Sequence, residues 1–203
     1  MLTSRTVAGA ALLALMLTSC STTQPQAAPT VSVAPAATPA VTPTPTAIPN
    51  ENGRGQLIKK IGETATRANE REKAPSLKFK VTSIQAITCD APFPTPPKGQ
   101  IIAVSLEIES ASGFVGPLTV NGTPGLISFH PRDWKGYTDT GTRMNTVESD
   151  ATQNCLADET RLLPDYVGKG EKLNGIVLLD VATPSGSIAF EPDGPGWIWE
   201  YSV

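Results

Sequence analysis

The chain has 203 residues, with 16 Lys and Arg against 19 Asp and Glu, one His and 39% hydrophobic residues, which suits one or at most two ordinary domains and excludes a large multidomain enzyme. Its five Phe, three Tyr and three Trp all fall after residue 76, so the material for a core is confined to residues 77–203. That region carries nine Lys and Arg against fifteen Asp and Glu, a net of −6, and an acidic unit binds a phosphate backbone poorly, which sets nucleic acid aside as a partner.

In chain order, Arg5 precedes an apolar run from Val7 to Leu17, too short to cross a hydrocarbon core of ~30 Å as a helix. It reads as a secretory signal over residues 1–19. The run ends in Leu17-Thr18-Ser19-Cys20, which resembles the bacterial lipobox: an apolar residue three before the Cys, and small residues beside it. The resemblance implies cleavage before Cys20 and a diacylglyceryl thioether on its thiol, carrying palmitate-type chains. At about 0.8 kcal/mol per buried CH₂, two or three chains hold a protein on a membrane without a transmembrane helix. The alternative is ordinary secretory cleavage that happens to fall beside a Cys.

Residues 20–55 are expected to be the lipidated Cys and a disordered tether. Residues 21–50 hold seven Pro, seven Thr and seven Ala with no charge and no aromatic, so nothing offsets the entropy of ordering a core. The prolines bias this stretch toward polyproline II at ~3.1 Å per residue, a reach of roughly 90 Å. Its Thr/Pro composition also permits O-glycosylation. Residues 51–76 leave two readings open: a solvated helix from Gln56 to Lys73, or strands, with Gly62 breaking the helical pattern and Thr64-Ala65-Thr66 fitting an edge strand.

From Leu77 the period is two. Leu77, Phe79 and Val81 alternate with Lys78 and Lys80; Ile102, Val104, Leu106 and Ile108 alternate with Ala103, Ser105, Glu107 and Glu109. Further strands are predicted over 125–130, 173–181, 187–190 and 197–203, punctuated by Asn121-Gly122, Pro184-Ser185-Gly186 and Asp193-Gly194-Pro195-Gly196. Many short strands with no long amphipathic helix between them indicate an all-β antiparallel sandwich or barrel. Once Cys20 is lipidated, Cys89 and Cys155 remain, and an even pair in an exported domain predicts a disulfide. Closing that loop removes roughly 4 kcal/mol of denatured-state freedom on the chain-entropy account.

The lipobox, the Thr/Pro tether, Phe79 to Ile84, Gly99 to Glu109, Cys155-Leu156, Gly168 to Lys172 leading to Gly175 to Leu178, and the closing Trp-rich strand together resemble a known group. It is the immunoglobulin-like domains of unknown function in Gram-positive, mainly actinobacterial, envelope lipoproteins, relatives of a secreted mycobacterial immunoprotective antigen. The resemblance covers residues 56–203 and implies an immunoglobulin-like β-sandwich there. It brings no catalytic residues with it. This chain departs from the group at Glu109-Ser110-Ala111-Ser112-Gly113, where an Asn-containing polar turn is usual.

A search for chemistry finds little. The single His, His130, precedes Pro131 and has no G-x-S-x-G partner, so it reads as a turn histidine. Asp133, Asp139, Glu148, Asp150, Asp158 and Glu159 match no calcium-loop spacing and read as solvated loop charges. No phosphate-binding motif is present. Trp197, Trp199 and Tyr201 share a strand face and are expected to cover the core. Trp134 and Tyr137, in the turn-rich stretch 133–141, are expected to be exposed binding contacts.

The reading is therefore a non-enzymatic module with no catalytic residues, metal ligands or cofactor. It would be lipid-anchored on the extracytoplasmic face of the cell membrane, with an envelope protein or glycan as ligand. The alternative is a small envelope hydrolase or metal-dependent enzyme. A transporter's two-lobed binding lipoprotein fails on size.

Overall fold

The structure is a computed structural model that describes residues 50–68 and 75–203, all within the compact unit Pro45–Val203. Residues 1–49, with the signal, Cys20 and most of the tether, lie outside the described residues. In chain order the strands are β1 (Leu57–Ile58), β2 (Thr64–Arg67), β3 (Leu77–Ala86), β4 (Gln100–Ser110), β5 (Leu118–Val120) and β6 (Thr123–Ser128). They continue with β7 (Trp134–Thr138), β8 (Tyr166–Val167), β9 (Lys172–Val181), β10 (Ser185–Phe190) and β11 (Trp197–Ser202). One helical turn, α1 (Asp150–Gln153), precedes β8. Two short strands, Leu57–Ile58 and Thr64–Arg67, thus stand where the sequence also allowed a helix. Pairing decides it, because Leu57 and Ile58 lie against Trp197 and Ile198, and Ala65 turns inward opposite Phe79.

Two four-stranded sheets face one another, one in the order β1-β11-β10-β7 and the other β2-β3-β4-β9, with a small β5-β6-β8 sheet beside them. The first strand runs parallel to the last, and the other named pairs are antiparallel. Asn121 and Gly122 link β5 to β6 with φ of 48° and 80°, the left-handed pair that a two-residue hairpin needs. In β3 the alternation slips at Thr82, where a bulge separates Val81 opposite Leu106 from Ser83 opposite Ser105. The extra residue lets both Val81 and Ile84 face inward, three positions apart.

The shared interior is aromatic. Phe79 sits edge-on to Phe129, Phe190 and Trp197 at centroid distances of 5.4, 5.5 and 4.9 Å, and Phe129 stacks on Phe190 at 4.4 Å. Trp197, Trp199 and Tyr201 join this core, as their common strand face predicts. Burial pushes the Tyr201 phenol up from its ordinary range, while its hydroxyl donates to the Thr183 carbonyl at 3.1 Å.

The outer face of the β2-β3-β4-β9 sheet is divided. At one end Lys78, Glu109 and Lys172 stand side by side, as do Lys80 and Glu107, with ion pairs of 3.0 Å (Lys80–Glu107) and 3.2 Å (Lys172–Glu109). At the other end Ile101, Ala103 and Leu178 take the equivalent positions and are buried under Ala151, Cys155 and Leu156. The segment 151–162 forms this roof, and Cys89–Cys155 bonds it to the connection after β3. The predicted disulfide is therefore present.

Candidate functional site

The registers place the ends of the sandwich. β3 ends, β4 begins and β9 ends at one pole, together with the tip of β7 and the C-terminus of β11; the chain enters at the other, where Leu57 pairs with Trp197 and the Leu57 N–H donates to the Gly196 carbonyl. The loop 87–99 caps the pole away from that point.

In this loop lies Pro92-Phe93-Pro94-Thr95-Pro96-Pro97, whose rings restrict φ and bar the backbone from a ladder. Its stem is held by the Asp90 and Ala91 amides donating to the Cys155 carbonyl at 2.8 and 3.0 Å, and by Asn154 Nδ2 donating to the Phe93 carbonyl at 2.9 Å. Its other end is held by Asp180, a buried carboxylate that accepts from the Lys98 and Gly99 amides, both at 2.9 Å, and from the Ser149 hydroxyl at 2.7 Å. Phe93 stands on this braced loop with 89% of its surface exposed. The other bulky apolar residues that reach solvent among the described residues are aliphatic. Sequence reasoning passed over Phe93, although an aromatic bracketed by prolines has no strand face on which to be buried.

Trp134 and Tyr137, expected as exposed contacts, are 3% and 5% exposed. The stretch 133–141 was read as turns, but residues 134–138 pair with β10. Trp134 packs into the main core and donates Nε1–H to the Phe129 carbonyl at 3.1 Å. Tyr137, three residues on, faces the other side, where Arg54 lies 4.1 Å over its ring and Gln56 Nε2 donates to its hydroxyl at 3.2 Å. Gly136 between them leaves the space that Met144 and Val147 fill: a Cβ there would come within 2.6 Å of Met144 Sδ. The same outer face holds Glu191, which accepts from Gln56 Nε2 and Lys135 Nζ. The segment before β1 folds back on it, the Ile58 amide donating to the Asn50 carbonyl at 2.7 Å.

The other chemical candidates are dispersed. His130 Nδ1 lies 3.6 Å from Glu148 Oε1 and 3.4 Å from the Arg132 amide. The nearby Ser128 hydroxyl donates to Asp133 at 2.6 Å and accepts from the His130 backbone amide at 3.1 Å, so its proton is directed to a carboxylate rather than to the imidazole. Asp139 accepts from Ser185 at 2.6 Å. The Thr160 hydroxyl and amide hold the Asp158 carboxyl below its usual range. Among the described residues, no three His, Cys, Asp or Glu side chains gather as a metal site. Cys20 lies outside the described residues.

The fold is thus an all-β sandwich of two facing sheets, crosslinked at its roof by one disulfide. No protein-family model and no curated protein sequence matches the chain. Among solved structures it is similar to MPT63, a secreted protein of Mycobacterium tuberculosis, at 17% identity and a TM-score of 0.46, over 71% of this chain and 97% of that one. It is also similar to the YjhA protein of Bacillus subtilis, at 17% identity and a TM-score of 0.37, over 66% of this chain and 80% of the other. A third likeness is to YcdA of Bacillus subtilis, described provisionally as a lipoprotein, at 10% identity and a TM-score of 0.39, over 62% of this chain and 36% of that one. No residue role is carried over from any of them.

Proposed function

We propose that the chain is a cell-envelope lipoprotein, held on the extracytoplasmic face of the membrane through a lipid on Cys20, which presents a non-enzymatic immunoglobulin-like binding module. The observation that carries the binding reading is Phe93. An aromatic ring left 89% exposed loses the benefit of burial, and a loop tied at both ends spends little entropy when something covers the ring. Leu17-Thr18-Ser19-Cys20 after an apolar run supports the anchor, and the Pro/Thr/Ala stretch that follows supports a spacer.

Two measurements test the reading. Wild-type protein should enter the detergent phase on phase separation, and Cys20→Ala should leave it; a processed Cys20→Ala protein that still partitions with detergent would refute the anchor. A photo-crosslinking amino acid at position 93 should capture an envelope component that the same group at position 107, on the charged sheet face, does not. Equal or absent capture at both positions would refute the contact surface.

A further inference from the structure

We infer that the pole bearing Phe93 is a binding site for a linear, largely uncharged oligosaccharide, a proposal that rests on the contact-surface reading above. Three clefts adjoin one another there. One of about 520 Å³ lies against the proline loop beside Ile87 and Ile101. It shares Thr95 and Pro96 with a second of about 320 Å³. The second shares Lys98, Glu148 and Ser149 with a third of about 570 Å³, which reaches Arg143. Adjoining depressions that share lining residues suit a polymer of repeating rings better than one compact molecule.

The lining chemistry selects among polymers. Lys98 and Arg143 alternate with Glu148 and Asp150 along the row, so no single-sign field draws in a polyanion or a polycation. Hydroxyl and amide groups supply both donors and acceptors, including the linked Thr138, Thr140 and Thr142 hydroxyls, 2.9 and 3.3 Å apart. Sugar hydroxyls need both, at many points and without a net charge. A sugar ring also has an apolar face of C–H groups, which lies flat on the electron-rich face of an aromatic ring. Phe93, whose neighbour Pro94 lines the first cleft, offers such a face. The wall between the second and third clefts is fixed in advance. Asp180 holds the Lys98 amide and the Ser149 hydroxyl from below, which limits the ordering cost of a bound chain.

The test uses the folded chain without its lipid, titrated calorimetrically with chitohexaose and with mannohexaose, beside Phe93→Ala, Phe93→Trp and Arg143→Ala. Phe93 and Arg143 are exposed, so these variants should keep the wild-type melting temperature. Saturable binding of at least one oligosaccharide is expected, weakened about tenfold or more by Phe93→Ala and by a smaller factor by Arg143→Ala, and retained by Phe93→Trp. No saturable binding of either sugar, or binding indifferent to Phe93→Ala, overturns the proposal. If position 93 then still crosslinks to an envelope protein, the oligosaccharide is wrong and the contact surface stands. If it captures nothing, both fall together.

Discussion

The two halves of one sheet face make a controlled comparison within a single molecule. β3, β4 and β9 run the full length of that face, with one bulge at Thr82, yet one half carries Lys78, Lys80, Glu107 and Glu109 in water while the other carries Ile101, Ala103 and Leu178 under a roof. The β4–β9 ladder runs in one register through both halves, so it is the side chains that distinguish the covered half. The bare half follows the alternation expected of a sheet with one wet face, and the roofed half shows the two-sided apolar runs Ile101-Ile102-Ala103-Val104 and Val177-Leu178-Leu179. Cross-strand charge pairs keep the bare half soluble and separate from other sheets, whereas the roof needs a covalent bond to hold an irregular segment in place.

The interior beneath both halves should be the most sensitive place to cut. Trp199 is 0% exposed and contacts Phe79 and Trp134, so Trp199→Ala should cost about 3–5 kcal/mol, read as a large fall in melting temperature or failure to fold. Trp134→Ala should cost a comparable amount, because the ring lies in the same core and its Nε1–H bond is lost as well. A loss of only a degree or two for Trp134→Ala would show that its ring is not packed as described.

Removing the crosslink sharpens the comparison itself. The double variant Cys89→Ala/Cys155→Ala should lose about 2–4 kcal/mol. Amide exchange should rise first in residues 151–162 and stay protected along β3 and β4 opposite the charged half. The intact protein should also weigh two hydrogens less before reduction than after. Equal loosening of both halves would mean that the roof and the sheet open as one unit.

Alkaline titration reaches the interior by another route. Burial holds the Tyr201 phenol above its ordinary value of 10.0, so from that pH upward the folded chain keeps a proton that the unfolded chain gives up. Stability is therefore whole below about pH 10 and falls as the pH rises through the folded value. Tyr201→Phe should flatten that alkaline decline, measured by denaturant titration from pH 8 to 11; an unchanged slope would place the titrating group elsewhere. The smallest effect belongs to the bare half. Lys80→Ala, which breaks an exposed ion pair, should shift stability by less than about 1 kcal/mol, and less again in high salt.

Much of the sandwich was legible because its strands obey simple periods. Phe79 and Leu106 sit where alternation puts them, and Asn121-Gly122 makes the turn its composition requires. Cys89 and Cys155 pair as counting and export suggested. Legibility failed where burial comes from a partner distant in sequence. Trp134 and Tyr137 lie among turn-forming residues, and only the pairing with β10 some fifty residues later makes them a strand with rings on opposite faces. The roof was hidden for the same reason, since no local period marks an irregular segment that folds over a sheet. Phe93 was hidden by the opposite cause: nothing buries it, and a search for core aromatics gives no reason to stop at one with no core to join.

The parallel pairing of the first strand with the last bears on mechanical load. A pull through residue 50 reaches the sandwich at the loop Asn50–Gln56 and then at Leu57 and Ile58, which lie along β11. The Leu57 amide on the Gly196 carbonyl and the Lys59 amide on the Ile198 carbonyl are strained side by side under tension along the strand, rather than unzipped one at a time. Gln56, bound to Glu191 and Tyr137, acts as a hook just ahead of them. Tension applied at residue 50 would thus meet a shear-loaded latch before it reached the aromatic interior.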